Sequence, residues 1–471
     1  MVTSSNNNWW KTATFMEASS GNANATVNDT TSQKWEGFGG AFNELGWTVL
    51  TTKALQDQAV QLLFGTDGAH FSWGRIPMGA SDYATKRYTL DDPSEADPTG
   101  ANTSGAGRPA VDTSMSKFTI MNGHDDKNLI PYIKAALAVN PNLKFWASPW
   151  TPPISMKSGL KTDTAKRPSY FDGGNMVNND ANLTAYALYY TKFVQAYKDQ
   201  GINIEIVSPQ NEPGYEQNYP SCLWDKTTYT AWIGKYLGPA MKALNVKVML
   251  GTMSNNGDTV AGMARKDTDL AAAVMGDSTA MSFISVAGVQ WGALEAVNNG
   301  TKFGSIPIWA TEHKCGNYPW NPSGYPAYNS SKAPNDLAYG VESWGYLRDA
   351  INKGHVTSYS AWNMVLDASG LGNDTTRDWK QDALLVANGG SITQTPAYYV
   401  FRHLAQYTSP GGNVLTTSGN DVVGFKNSDG SYVAVVYNSG AANSNYIVSV
   451  GGKKIQFAMP QAGWATVMVK P

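Results

Sequence analysis

Eight short apolar runs, separated by amphipathic stretches, constrain this chain more than any other feature. They are GFGGAF at 37–42, FSWGRI at 71–76, LKFWAS at 143–148, IEIVS at 204–208, VKVMLG at 246–251, a strand within MSFISVAGVQW at 281–291, IPIWATE at 306–312 and HVTSYSAWN at 355–363. Residues 52–64, 125–139, 180–199, 227–243 and 335–353 lie between them as helices, with Leu129, Ile130, Ile133, Ala136 and Leu137 on one face of the second. Apolar strands alternating with amphipathic helices imply a parallel sheet covered by helices. Eight such units over roughly 330 residues suit an α/β fold of the (β/α)8 TIM-barrel type with long loops.

From about residue 408 the period changes to two, around turn signals, in DVVGFKNSDGSYVAVVYNSG and NYIVSVGGKKIQFAMPQAGWATVMVK. A β-segment this short buries little core alone. Residues 10–31 also read as strand and turn, so the expectation is a β-sandwich side domain built from both chain ends. The divisions are then 1–34 (first strands of the sandwich), 35–407 (barrel) and 408–471 (the rest of the sandwich).

The 471 residues are only 15% charged, with a net charge of −2, which argues against a nucleic-acid footprint. No run of 18 apolar residues exists to span a membrane. Abundant Asn, Ser, Thr and Gly, together with 16 Trp, suggest a surface that meets sugars or other polar neutral matter. The expectation is a secreted protein. MVTSSNNNWW holds no signal-peptide core, so an export signal would already be gone. Five His without HExxH, and two Cys without CxxC, indicate no metal site, and no P-loop, dinucleotide fingerprint or GxSxG occurs, so no cofactor is expected. Oligomeric state is not legible.

Catalytic groups of such a barrel sit at the C-terminal ends of its strands. Glu212 follows the fourth strand and Glu312 ends the seventh, so two carboxylates are aimed at one mouth. Glycoside hydrolysis requires that arrangement: one carboxyl protonates the leaving oxygen while the other attacks or activates water, and their pKa values must differ. A single Glu at a strand end is more often a cap or an ion-pair partner. Cys222 and Cys315 each fall in a loop just after one of these strands. The alternatives are a disulfide across the mouth or two buried thiols.

SPQNEP (208–213) and WATEHKCG (309–316) resemble the acid/base and nucleophile segments of glycoside hydrolase family 30, a family of retaining β-glycosidases with a (β/α)8 barrel. GFGGAFNELGW (37–47), GRIPMGASDYA (74–84), WASPWTPP (146–153), SYSAWNMVLD (358–367) and TPAYYVFRHLAQY (395–407) resemble further family segments, in order. The resemblance implies that Glu212 is the acid/base and Glu312 the nucleophile. It implies that Asn211 bonds the sugar 2-hydroxyl and that Arg75 keeps Glu312 ionised, with an ordinary barrel ion pair as the alternative for Arg75. It implies that Asp82 and Trp150 bind sugar hydroxyls and ring edges and that Trp362 forms a stacking floor, with core packing as the alternative for each Trp.

Gln290 and Trp291 stand where many relatives carry a His or Tyr beside a Trp. His313 and Lys314 follow the nucleophile; they either alter selectivity or point away from the mouth, since strand neighbours alternate. The polar insert 85–118 is placed to wall off the site. The implied activity is retaining hydrolysis of β-linked neutral glycosides, with β-glucosides or β-1,6-glucan leading. Fucosides, galactosides, xylosides and xylan follow. A non-catalytic glycan-binding protein is remoter, because both Glu positions are filled. A serine esterase lacks its nucleophile elbow.

Overall fold

The computed structural model describes residues 1–92, 109–159, 169–254, 259–260, 263–264, 266–294, 297, 302–313, 336–373, 380–419 and 421–471. Eight parallel strands close into a barrel: β1 (Gly37–Ala41), β2 (Trp73–Pro77), β3 (Lys144–Ser148), β4 (Ile204–Val207), β5 (Lys247–Met253), β6 (Ile284–Gln290), β7 (Ile308–His313) and β8 (Ser358–Asn363). The ring closes where β8 meets β1, with Tyr359 opposite Phe38 and Ser360 opposite Gly39. All eight expected strands and all five expected helices are present. Several of the helices start where a side chain accepts from a first-turn N–H group. Thr52 accepts from Leu55, Asn179 from Asn182 and Asp225 from Thr228.

The barrel interior is packed rather than hollow. Trp73, Trp146, Ile206, Met249, Val286 and Trp309 form one buried cluster across it. The backbones of β1 and β2 approach so closely that β1 carries glycine there: a Cβ on Gly39 would sit 2.3 Å from the Trp73 carbonyl oxygen. This cluster carries the site floor, because Arg75 on β2 lies above Trp146 with its guanidinium 5.0 Å from the ring centre. Most described tryptophans are buried, among them Trp35, Trp224, Trp232, Trp344 and Trp464. Tryptophan here is chiefly core, where its large area contributes most, so the count itself does not mark a sugar-facing surface.

The β-domain draws on both chain ends, as the period-two pattern implied. Val2–Ser5 pairs antiparallel with Gly463–Val469. Ala25–Lys34 lies between Asn413–Ser418 and Asn443–Val450 in the same ten-stranded sheet. Val27, Val422, Val448, Phe457 and Val467 share a second core inside it. The helix Pro396–Ala405 joins this domain to the barrel. Its His403 ring bridges the hydroxyls of Ser4 and Thr466, at 2.8 Å each, and its Phe401 meets Phe71 and Tyr359 of the barrel.

Candidate active site

The segment after β4 continues along the barrel past the last ladder residue. Ser208 N–H donates to the Ala147 carbonyl at 2.8 Å and Asn211 N–H to the Pro149 carbonyl at 2.8 Å, while Glu212 N–H donates to the Thr252 carbonyl at 3.2 Å. The chain is thus gripped from β3 on one side and β5 on the other. Tyr190 of the helix Asp180–Asp199 donates its hydroxyl to the carbonyls of Ser208 and Pro209 from behind. Pro209 cannot donate, and its fixed φ suits this fully committed turn. Glu212 itself has φ of 42°, a left-handed conformation that costs a non-glycine residue on the order of 1–3 kcal/mol.

Arg75 joins the two candidate segments. One guanidinium arm donates to Glu312 Oε2 and the other to Asn211 Oδ1 at 2.6 Å. Asn211 Oδ1 also accepts from Gln290 Nε2 and Thr252 Oγ1, each at 3.3 Å. Three donors on one oxygen fix the amide's orientation and leave Nδ2 as the group able to donate to a ligand. The other oxygen of Glu312 accepts from the Trp291 indole N–H at 2.7 Å. Trp291 too holds a left-handed backbone, with φ of 24°. Glu312 owes its inward aim to an irregularity in β7. Trp309 points into the barrel, so strict alternation would turn Glu312 outward, but the pairing register shifts on both sides of the strand near its end.

Glu212 and Glu312 are both buried, at 6% and 5% exposure. Burial pushes the Glu212 carboxyl well above the usual carboxylate range, and the nearby charges of Glu312 and Asp267 push it the same way. Hydrogen bonds with Ser254 and Gln290 oppose that shift. One carboxyl is therefore built to carry a proton, while the other has a guanidinium as its direct partner. That division is what acid-assisted displacement at a glycosidic carbon needs.

Trp150 and Trp362 stack on each other with ring centres 5.4 Å apart and cover Arg75 at 4.4 and 5.1 Å. Both are buried, so their packing role is real, and they wall the pocket in which Arg75 and Glu312 meet. Asp82 precedes Tyr83, whose ring meets Trp362 edge-on at 6.0 Å, and its carbonyl accepts from Asn373 N–H at 2.7 Å. Gln290 is fully buried against Asn211 and Glu212, a positioning contact. His313 points away from the mouth: its Nδ1 bonds the Tyr359 hydroxyl at 2.8 Å and its ring packs on Tyr346 of the helix Leu337–Asn352. Lys314 and Cys315 lie outside the described residues, as does 93–108 of the polar insert; Cys222 is buried. Sequence reasoning missed Thr252, Ser254 and Asp267. All three are ordinary in type, and no motif linked them to Glu212.

Comparison with known proteins bears on the family and the fold. The model of the glycosyl hydrolase family 30 TIM-barrel domain matches residues 35–408, and that of the family's β-sandwich domain matches 411–467. The putative glucosylceramidase 4 of Caenorhabditis elegans is 25% identical over 464 residues, covering 93% of this chain and 81% of that protein. The endo-1,6-beta-D-glucanase BGN16.3 of Trichoderma harzianum is 27% identical over 416 residues, covering 84% and 74%. Among solved structures, SrfJ from Salmonella typhimurium superposes with a TM-score of 0.76 over 100% of this chain and 99% of that one; at 20% identity this speaks for the fold alone. The chain belongs to glycosyl hydrolase family 30 and is a glycoside hydrolase.

Proposed function

We propose that the enzyme hydrolyses β-linked neutral glycosides with retention, and that β-glucosides or β-1,6-glucan are its substrates. The observation that carries this is the division of states between two buried carboxyls at one mouth: Glu212 driven toward its protonated form, and Glu312 paired with Arg75. In the first step a Glu312 oxygen attacks the anomeric carbon, the glycosidic C–O bond breaks, and the Glu212 proton goes to the leaving oxygen. Glu312 is then an ester and no longer an anion. The repulsion it exerted on Glu212 disappears, so Glu212 is now suited to act as a base. In the second step Glu212 takes a proton from water, the water oxygen attacks the anomeric carbon, and the Glu312 ester bond breaks. Asn211 Nδ2 donates to the sugar 2-hydroxyl.

The glucan preference rests on relatives named as a glucosylceramidase and an endo-1,6-β-glucanase. A secreted enzyme of polysaccharide breakdown fits the low charge of the chain. Proton NMR of the products, with β-1,3-, β-1,4- and β-1,6-linked glucans, xylan and aryl β-glycosides offered in parallel, tests both parts. The β-anomer should appear first and the β-1,6-glucan or β-glucosides should turn over fastest. An α-anomer appearing first would rule out retention, and a preference for xylan would move the substrate to the pentosans.

A further inference from the structure

Trp291 donates to an oxygen of Glu312, and the steps above leave it without a task. The two oxygens of that carboxylate have donors of different kind. Arg75, a cation pinned by Asn211 and by three indoles, holds Oε2. The neutral indole N–H of Trp291 holds Oε1 at 2.7 Å. The backbone is shaped to deliver that N–H. Gln290 is paired with Glu312 across β6 and β7 and faces the interior, where it donates to Asn211. An extended successor would point outward. Instead the strand stops: Trp291 and Gly292 are both left-handed, with φ of 24° and 60°, and Ala293 N–H closes the turn on the Gln290 carbonyl at 3.1 Å. The indole lies back over Glu312, half-buried, and packs against the cluster of Trp150 and Trp362.

We propose that Glu312 Oε1 is the oxygen that attacks the anomeric carbon, and that Trp291 is a catalytic residue of the second step, where it donates to that oxygen as it departs. This rests on the double-displacement reading. When a carboxylate becomes an ester, the oxygen bonded to the sugar carbon loses its charge and most of its power to accept. The other becomes a carbonyl oxygen and stays a good acceptor. A buried guanidinium is the costlier donor to leave without its acceptor, so Oε2, held by Arg75, is the oxygen that becomes the carbonyl. The indole carries one N–H and no charge, so it is the partner that can be given up.

The two steps feel this hydrogen bond with opposite sign. In the first, Oε1 forms its bond to the anomeric carbon while the glycosidic bond breaks, and the negative charge that the indole met is consumed. The bond is worth more before this step than at its transition state, so it does not speed it. In the second, the bond between Oε1 and the anomeric carbon breaks, the electron pair returns to Oε1, and the water proton goes to Glu212. Negative charge then grows on the atom at which the N–H is already aimed, which lowers that barrier. Without the N–H, the glycosyl-enzyme should form and then persist.

The test is Trp291→Phe, which keeps a flat ring and removes the donor, assayed on the dinitrophenyl β-glycoside that the enzyme turns over fastest. With so good a leaving group the second step limits. kcat should fall by roughly tenfold to a hundredfold, and KM should fall with it because the covalent intermediate accumulates. A KM that is unchanged or raised overturns the proposal, since a role in packing alone would weaken binding or the first step. The native enzyme decides if Trp291→Phe does not fold. The 2-deoxy-2-fluoro analogue of the same glycoside traps the ester, and in protein with nitrogen-15 indoles one N–H resonance should move upfield on trapping. An indole spectrum that does not change overturns the proposal as well. Mass spectrometry of the trapped native enzyme separates the two levels. The absence of a fluoroglycosyl adduct on Glu312 removes the double-displacement reading itself. An adduct on Glu312, with KM undiminished in Trp291→Phe, removes the role of Trp291 alone.

Discussion

Arg75 bonds in two directions at once. One arm of its planar fork holds Glu312 and the other holds Asn211, while three indoles lie against it. A lysine could keep the charge but not both arms. Arg75→Met should leave Glu312 buried without a countercharge, which costs about 3–5 kcal/mol for a pair of this kind. Arg75→Lys should recover much of that stability in urea unfolding yet leave kcat/KM on the order of a hundredfold or more below the native value, because Asn211 loses its strongest donor. Native-like activity of Arg75→Lys would show that the second arm does no work in the site. At this scale the sequence was partly legible. The two Glu residues could be picked out because each ends an apolar run. Asp267 could not, since an Asp in the first turn of a helix is usually a solvated helix-dipole partner. Nothing in its neighbours announces that it is buried against a strand end contributed 13 residues earlier by Ser254.

Among the elements, β7 and the helix Pro396–Ala405 carry the most consequence. Alternation along β7 identifies His313 as pointing away from the mouth once Glu312 is taken as inward, and His313 does bond Tyr359 on the outside. What alternation could not supply is the register shift that lets both Trp309 and Glu312 face the interior. Such bulges depend on the neighbouring strands rather than on local composition. The helix is amphipathic in two directions, since one side packs on the barrel and the other on the β-domain. Burial pushes His403 down to about 3, so it stays neutral and links Ser4 to Thr466 through ring nitrogens. Tyr399 stacks on Trp9 at 4.8 Å and Arg402 covers Trp10 at 3.9 Å. Truncation after Tyr407 would remove Thr466, unpair Val2–Ser5 from Gly463–Val469 and expose Trp35 and Phe38 where Phe425 now covers them. The truncated chain should be insoluble on expression. A soluble, fully active product would show the β-domain to be a detachable module.

Across the whole molecule, a barrel filled by tryptophan supports a site whose two carboxyls have different surroundings: burial pushes Glu212 up, and Glu312 is paired with Arg75. The eight-unit alternation carried the architecture in the sequence because each unit is local, and a strand followed by its covering helix leaves its period in consecutive residues. Long-range relations were legible only where the topology is stereotyped, as at strand ends facing one mouth. Tryptophan count misled, because abundance alone does not separate a core from a sugar-facing surface. The central claim is that Glu212 and Glu312 act as acid/base and nucleophile on opposite faces of the anomeric carbon. Azide trapping tests it most directly. Glu212→Ala should lose on the order of a thousandfold or more on poor leaving groups and far less on activated aryl β-glycosides. Added azide should intercept its covalent intermediate and yield the β-glycosyl azide. Glu312→Ala should form no covalent intermediate and should yield the α-azide instead. A β-azide from Glu312→Ala, or an equal loss on activated and natural substrates in Glu212→Ala, would contradict the assignment.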